Sequence, residues 1–304
     1  MSTIDFKDCF WGAPNSNANF CEVDYAVSRY IAEFINSLTN VVYVIYGICG
    51  LRRLRRKVNN ADSFRVLPYW GLIAVGICSF SFHVSMKYHT QMMDDLSMHF
   101  ATTPVLHRVL TANSNHRHSV LIGIVLGFLL LFLVTFHMMT DELILHSISF
   151  VGAVTIIGIQ TFRLVNSRTQ PGSASRRQIW GIVKFGAAIF NLGYYFWLVD
   201  QWACGYLTKI RDTIGLPWVF ILELHGWYVS EDIFLCLKLT GVNRWHICTG
   251  IGAYIFIAVV DQLVSGENLE DPKKSIAWPA SWAATSIFAG QEPSEDGEVI
   301  KKQN

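Results

Sequence analysis

Ser79 and His83 lie four residues apart in the run Ser79-Phe80-Ser81-Phe82-His83, which puts a hydroxyl and an imidazole on one face of a helix. Asp94 and Asp95 follow across a short turn. Two more imidazoles come late in the chain, His225 in Leu222-Glu223-Leu224-His225-Gly226-Trp227 and His246 in Trp245-His246-Ile247-Cys248-Thr249-Gly250. Three histidines and a water make a common catalytic zinc arrangement. With a carboxylate to accept a proton and a hydroxyl to face an oxyanion, such a set can hydrolyse an amide. His99, one helical turn beyond Asp95, is the main competing imidazole. His137 and His146, near helix ends, carry less weight.

The elements that must position these groups are membrane helices. The chain is 52% hydrophobic, 13% aromatic and only 15% charged, with a mean hydropathy of +0.33, which is not the composition of an ordinary soluble domain. Apolar windows near 31–50, 66–86, 119–139, 143–163 and 179–199 have the length of about 20 residues that crosses a bilayer. A sixth window, 92–112, carries Asp94, Asp95, His99, His107 and Arg108, and reads as a span whose polar face meets protein rather than lipid. A final apolar region runs from Leu216 to about Val264. The expected fold class is therefore all-α, a seven-helix membrane bundle over 31–265, preceded by a lumenal segment 1–30 and followed by a polar cytosolic tail 266–304.

Charge supports that orientation. Arg52, Arg53, Arg55, Arg56, Lys57 and Arg65 follow the first span, Arg108 and Arg117 the third, and Arg163, Arg168, Arg176 and Arg177 the fifth, while the opposite loops hold few basic residues. A net charge of +1 without a basic face argues against a nucleic-acid partner. Residues 1–32 lack the apolar core of a cleavable signal, so the first span is read as its own insertion signal. The tail contains a Trp-bearing stretch, 276–288, read as lying on the membrane surface. It ends in Lys301-Lys302-Gln303-Asn304, which resembles a dilysine retrieval signal of the endoplasmic reticulum.

At these residues the chain resembles the alkaline ceramidase family, seven-span zinc amidases of the endoplasmic reticulum and Golgi that are related to the progestin and adiponectin receptors. The resemblance rests on Tyr30-Ile31-Ala32-Glu33-Phe34 with Asn36 and Asn40, on Ser79 to His83, on Lys87-Tyr88 with Gln91 and Asp94, and on the two distal histidine segments. It implies that His83, His225 and His246 hold zinc, that Asp94 handles the attacking water, and that Ser79 sits beside the oxyanion. The implied substrate is ceramide, split into a sphingoid base and a fatty acid, with reversal chemically possible. A calcium site is implied at Asn19, Phe20 (through its carbonyl), Glu22, Asp24 and Glu33; the family has Asp where this chain has Asn19 and Asn where it has Asp24, so the ligand charge is kept. Three carboxylates suit a cation that takes six to eight oxygens. Cys21 and Cys204 both fall on the expected lumenal side, where disulfides persist, with Cys9 as the alternative partner.

One departure is large. His225 and His246 stand 21 residues apart, whereas the family has His-x-x-x-His, one turn of one helix. Removing the 17 residues 228–244 gives His-Gly-Trp-Trp-His and one uninterrupted last span. The segment is read as a retained in-frame intron, because Tyr-Val-Ser can be encoded across a GTAAGT donor and Asn-Arg can contain a terminal AG. If it is a genuine insertion, the last region can form two spans and the C-terminus becomes lumenal. A receptor or scaffold of the same fold, or an isoform inactivated by the insertion, are the alternatives to an active hydrolase; a transporter is disfavoured because no internal repeat is visible.

Overall fold

The computed structural model describes residues 6–57, 63–206, 209, 213, 244–266 and 276–289. His225, most of 228–244 and the Lys301–Asn304 terminus lie outside the described residues. Described elements are helical: α1 (Phe34–Thr39), α2 (Val41–Lys57), α3 (Ser63–Ser85), α4 (Tyr88–Thr111), α5 (His116–Thr140), α6 (Leu143–Arg168), α7 (Ala174–Trp202), α8 (Arg244–Val264) and the short α9 (Ala280–Ala283). No strand occurs among the described residues. Six of these segments are long and apolar enough to cross a membrane. Helix α4 is not among them, and its Gln91, Asp94, Ser97 and His99 are buried against neighbouring helices rather than facing lipid.

Helix ends follow local chemistry. Asn115 and Ser173 cap α5 and α7 by accepting from His118 N and Arg176 N. Between α5 and α6 the chain reverses through Asp141 in the left-handed region (φ 50°), and Glu142 then accepts from Ile144 N and Leu145 N. Helices α7 and α8 approach closely because Gly186 and Gly252 face them. A Cβ on Gly186 would stand 2.5 Å from Ile255, and one on Gly252 would stand 2.6 Å from Phe190.

The core runs along α8, whose Ile251, Tyr254, Ile255 and Ala258 are buried among α2, α3 and α7. At the basic end of the bundle Asp261 of α8 receives Arg53 of α2 at 2.7 Å, Arg65 of α3 at 2.9 Å and Arg108 of α4 at 3.1 Å. These three arginines are thus internal ties rather than the loop charges that their positions in the sequence suggest. The stretch 276–288 also differs from expectation. Ile276, Ala280, Ala283 and Ala284 are buried against the bundle, Tyr46 donates to the Trp278 carbonyl at 2.9 Å, and Ala277 N donates to Tyr254 Oη. Small apolar residues at that spacing pack better on α7 and α8 than on a bilayer surface.

Candidate active site

The last turn of α3 leaves carbonyls that no residue of the helix can satisfy. Two of them are taken by the N-terminal segment: Ala32 N donates to Val84 O and Glu33 N to His83 O, each at 2.9 Å. This main-chain pairing sets Glu33 beside His83, and its Oε2 lies 2.6 Å from His83 Nδ1. Glu33 Oε2 also accepts from Asn36 Nδ2 at 2.9 Å, and Oε1 from Phe20 N at 3.3 Å. With Nδ1–H engaged by the carboxylate, His83 Nε2 presents its lone pair, and that atom is buried with no hydrogen-bond partner among the described residues.

His246, on the first turn of α8, is held in the same way. Thr39 Oγ1 donates to the Ile35 or Asn36 carbonyl at 3.0 Å, so it accepts from His246 Nδ1 at 2.9 Å. His246 Nε2 then faces Ser79 Oγ at 3.4 Å. The two imidazoles stand 5.0 Å apart, centre to centre, at 85°. Ser79 also hydrogen-bonds the Asp94 carboxyl. Thus Ser79, His83, Asp94 and His246 meet in one buried place, each imidazole backed by an oxygen on its far nitrogen, the support that metal-ligating histidines ordinarily have. Among the described residues no three His, Cys, Asp or Glu side chains converge as a metal group; the third expected imidazole, His225, is outside them. The orphaned Nε2 of His83 and the paired supports fit a zinc ion.

The calcium candidates are partly gathered. Asn19 Nδ2 approaches Asp24 Oδ2 at 3.5 Å, and Asp24 Oδ1 is buried without a partner. Glu22 does something the sequence did not suggest: its two oxygens accept from Ile35 N at 2.7 Å and Asn36 N at 2.9 Å, capping α1 from a distance. Burial pushes the Glu22 carboxyl above the usual range, opposed by those two amides and reinforced by Glu33. Burial likewise raises Asp24. The uncompensated Asp24 oxygen is a donor of the kind a hard cation takes, while Asp24, Glu22 and Glu33 do not converge as a metal group among the described residues. Phe20 adds a ring to the site, 5.2 Å from that of His83 and 6.1 Å from that of Trp245.

Cys21 and Cys204 are joined, with Cα atoms 5.1 Å apart, and Cys9 is a free thiol. Asp200 of α7, unremarked in the sequence, accepts from Cys21 N at 3.2 Å. The other histidines form a separate group. His99 Nε2 meets His146 Nδ1 at 3.1 Å, His137 Nε2 meets Asp95 at 3.2 Å, and His137 Nδ1 donates to the Glu142 carbonyl at 3.1 Å. His99 is therefore no rival ligand at the Ser79–His83 site. This group ties α4, α5 and α6 together, and His137 is the one fully buried residue of α5, whose others are half-buried or exposed.

The ceramidase family profile matches residues 12–230, ending within the segment 228–244. The chain is 28% identical over 270 residues to alkaline ceramidase YPC1 of Saccharomyces cerevisiae, covering 83% of this chain and 78% of the yeast protein. It is 24% identical over 252 residues to alkaline ceramidase 3 of Mus musculus, covering 82% and 84% of the two chains. A profile match over most of the length, together with relatives aligned along most of theirs, shows that the chain belongs to the ceramidase family.

Proposed function

We propose that the chain is a zinc-dependent amidase that hydrolyses ceramide, of the phyto or dihydro type, to a sphingoid base and a fatty acid. The observation that carries this is the buried meeting of Ser79, His83, Asp94 and His246, with both imidazoles held at Nδ1 and turned inward at Nε2. His83 and His246, with His225 as the third ligand, would hold the zinc, which when bound lowers the pKa of water and polarises a carbonyl. Asp94 accepts the proton of the attacking water on a carboxylate oxygen and delivers it to the nitrogen of the departing amine. Ser79 donates its hydroxyl to the oxygen of the carbonyl under attack. Glu33 and Thr39 fix the tautomer and tilt of the two imidazoles. The same site run backwards would acylate a sphingoid base.

The orientation that suits the basic residues puts the N-terminal segment in the lumen of the endoplasmic reticulum and the tail in the cytosol. Removing 228–244 brings His225 and His246 to one face of one helix, so the intron reading supposes that the shorter chain is the working enzyme. Both chains, purified in detergent, should be given ceramide. The shorter chain is expected to release fatty acid and sphingoid base one to one and to stop when zinc is chelated. Ceramide transfer without cleavage by both chains would overturn the amidase reading.

Asn19, the Phe20 carbonyl, Glu22, Asp24 and Glu33 would hold calcium. Because burial raises Glu22 and Asp24, the metal-free fold binds more protons than the unfolded chain above pH about 4. The contribution of these two groups to stability is fully present below that value and is lost as pH rises through the raised values. Calcium, binding the ionised form, should remove this decline. Melting temperatures measured across pH with and without calcium check the point; an equal calcium effect at every pH would argue against these ligands.

A further inference from the structure

Beside the first turns of α7 lies an open cavity of about 360 Å³, lined by Gly172, Ser173, Arg176, Arg177, Trp180 and Lys184, with Ala289 as its far wall. Ser173, Arg177, Trp180 and Lys184 recur at three- and four-residue spacing, which makes them one stripe of the helix. Arg177 Nη1 donates to the Gly172 carbonyl at 3.0 Å and Arg176 Nη1 to the Thr169 carbonyl at 3.3 Å, so both guanidinium groups are anchored to the turn. Each has five N–H donors and keeps others for a ligand. Among the described residues no carboxylate pairs with Arg176, Arg177 or Lys184. This is the reverse of the basic cluster inside the bundle, which is built around Asp261.

Depth narrows the choice of anion. Helix α7 has 29 residues, about 43 Å at 1.5 Å per residue, which exceeds a hydrocarbon layer of about 30 Å. With the apolar window 179–199 in the hydrocarbon, the first turn, 174–177, falls in the headgroup layer. Trp180, its ring 5.5 Å from that of Phe162, comes at the level that indoles prefer. Lys184 is exposed and about 15 Å along the helix from Ala174. An ammonium on the lipid-facing side at that depth is costly unless it reaches back to an anion at the headgroup level. Two guanidinium groups, an indole and an ammonium in that order suit a phosphate above and a glycerol with acyl chains below.

We propose that this cavity binds the phosphate headgroup of an anionic glycerophospholipid from the adjoining leaflet. The proposal is independent of the hydrolytic site. Native mass spectrometry of the full chain in detergent, titrated with dioctanoyl phosphatidic acid, dioctanoyl phosphatidylcholine or inorganic phosphate, tests it. A one-to-one adduct with phosphatidic acid is expected, with neither of the others. Removing two basic groups worth about 1 kcal/mol each should weaken that adduct roughly thirtyfold in Arg177→Ala/Lys184→Ala. The charge-keeping Arg177→Lys/Lys184→Arg should retain it, which separates loss of the site from loss of the fold. Equal binding of phosphatidylcholine, binding of inorganic phosphate as tight as that of the lipid, or an unchanged adduct in the alanine variant would each overturn the proposal. So would an adduct that forms only after Glu292, Glu295, Asp296 and Glu298 are neutralised, because the chain's own acidic tail would then be the occupant.

Discussion

Asp94→Asn is expected to lower the release of fatty acid from ceramide by roughly a hundred- to ten-thousandfold, the usual worth of a positioned general base. Asparagine keeps the size of the side chain and an oxygen that can accept from Ser79, but it cannot take a proton from water. The substitution should therefore leave the fold and the zinc content as they are and act on turnover. Substituting His83 by alanine removes a lone pair that is buried and inward-facing, so there zinc and activity should fall together. Parallel measurement of bound zinc and of initial rate distinguishes the two. Asp94→Asn retaining activity within a few fold would remove Asp94 from the proton-transfer role, and zinc loss in that variant would make it a ligand instead.

The second large effect concerns stability. Asp261→Ala is expected to cost about 3–5 kcal/mol, because it leaves guanidinium groups from three helices around a site that is only 3% exposed at the carboxylate. The cost comes from removing the counter-ion that three mutually repelling guanidinium groups share in a buried site. Consequently Arg53→Met combined with Asp261→Ala should be less damaging than the sum of the two changes measured singly. Denaturant unfolding in detergent of the two single variants and the double variant gives the coupling directly. A change below about 1 kcal/mol for Asp261→Ala would show that other groups carry the arginines.

What could be read from the chain alone were features that are local or periodic. Hydropathy gives the long helices, and the four-residue step from Ser79 to His83 gives a shared face. The buried face of α4 follows from the rule that ionisable groups at membrane depth need partners. The supports of the site could not be read this way. Glu33 meets His83 from 50 positions away and Thr39 meets His246 from 207 positions away, so each depends on how separate helices are registered. The sequence around Glu33 points to a cation, and nothing in its neighbours indicates that it also holds an imidazole. Asp261 was invisible for a similar reason: a carboxylate near the end of an apolar helix looks like a solvated terminus until the arginines of α2, α3 and α4 arrive around it. Along the sequence those arginines show their sign but not their place.

The hydrogen bonds from Ala32 and Glu33 to the last turn of α3 are made by main-chain atoms alone. A register set this way is indifferent to which side chains surround it. Substitution of the Ala32 side chain therefore leaves this pairing in place, and one carboxylate stays opposite one imidazole. Such a segment can look like a poorly specified leader and still be part of the enzyme's working interior.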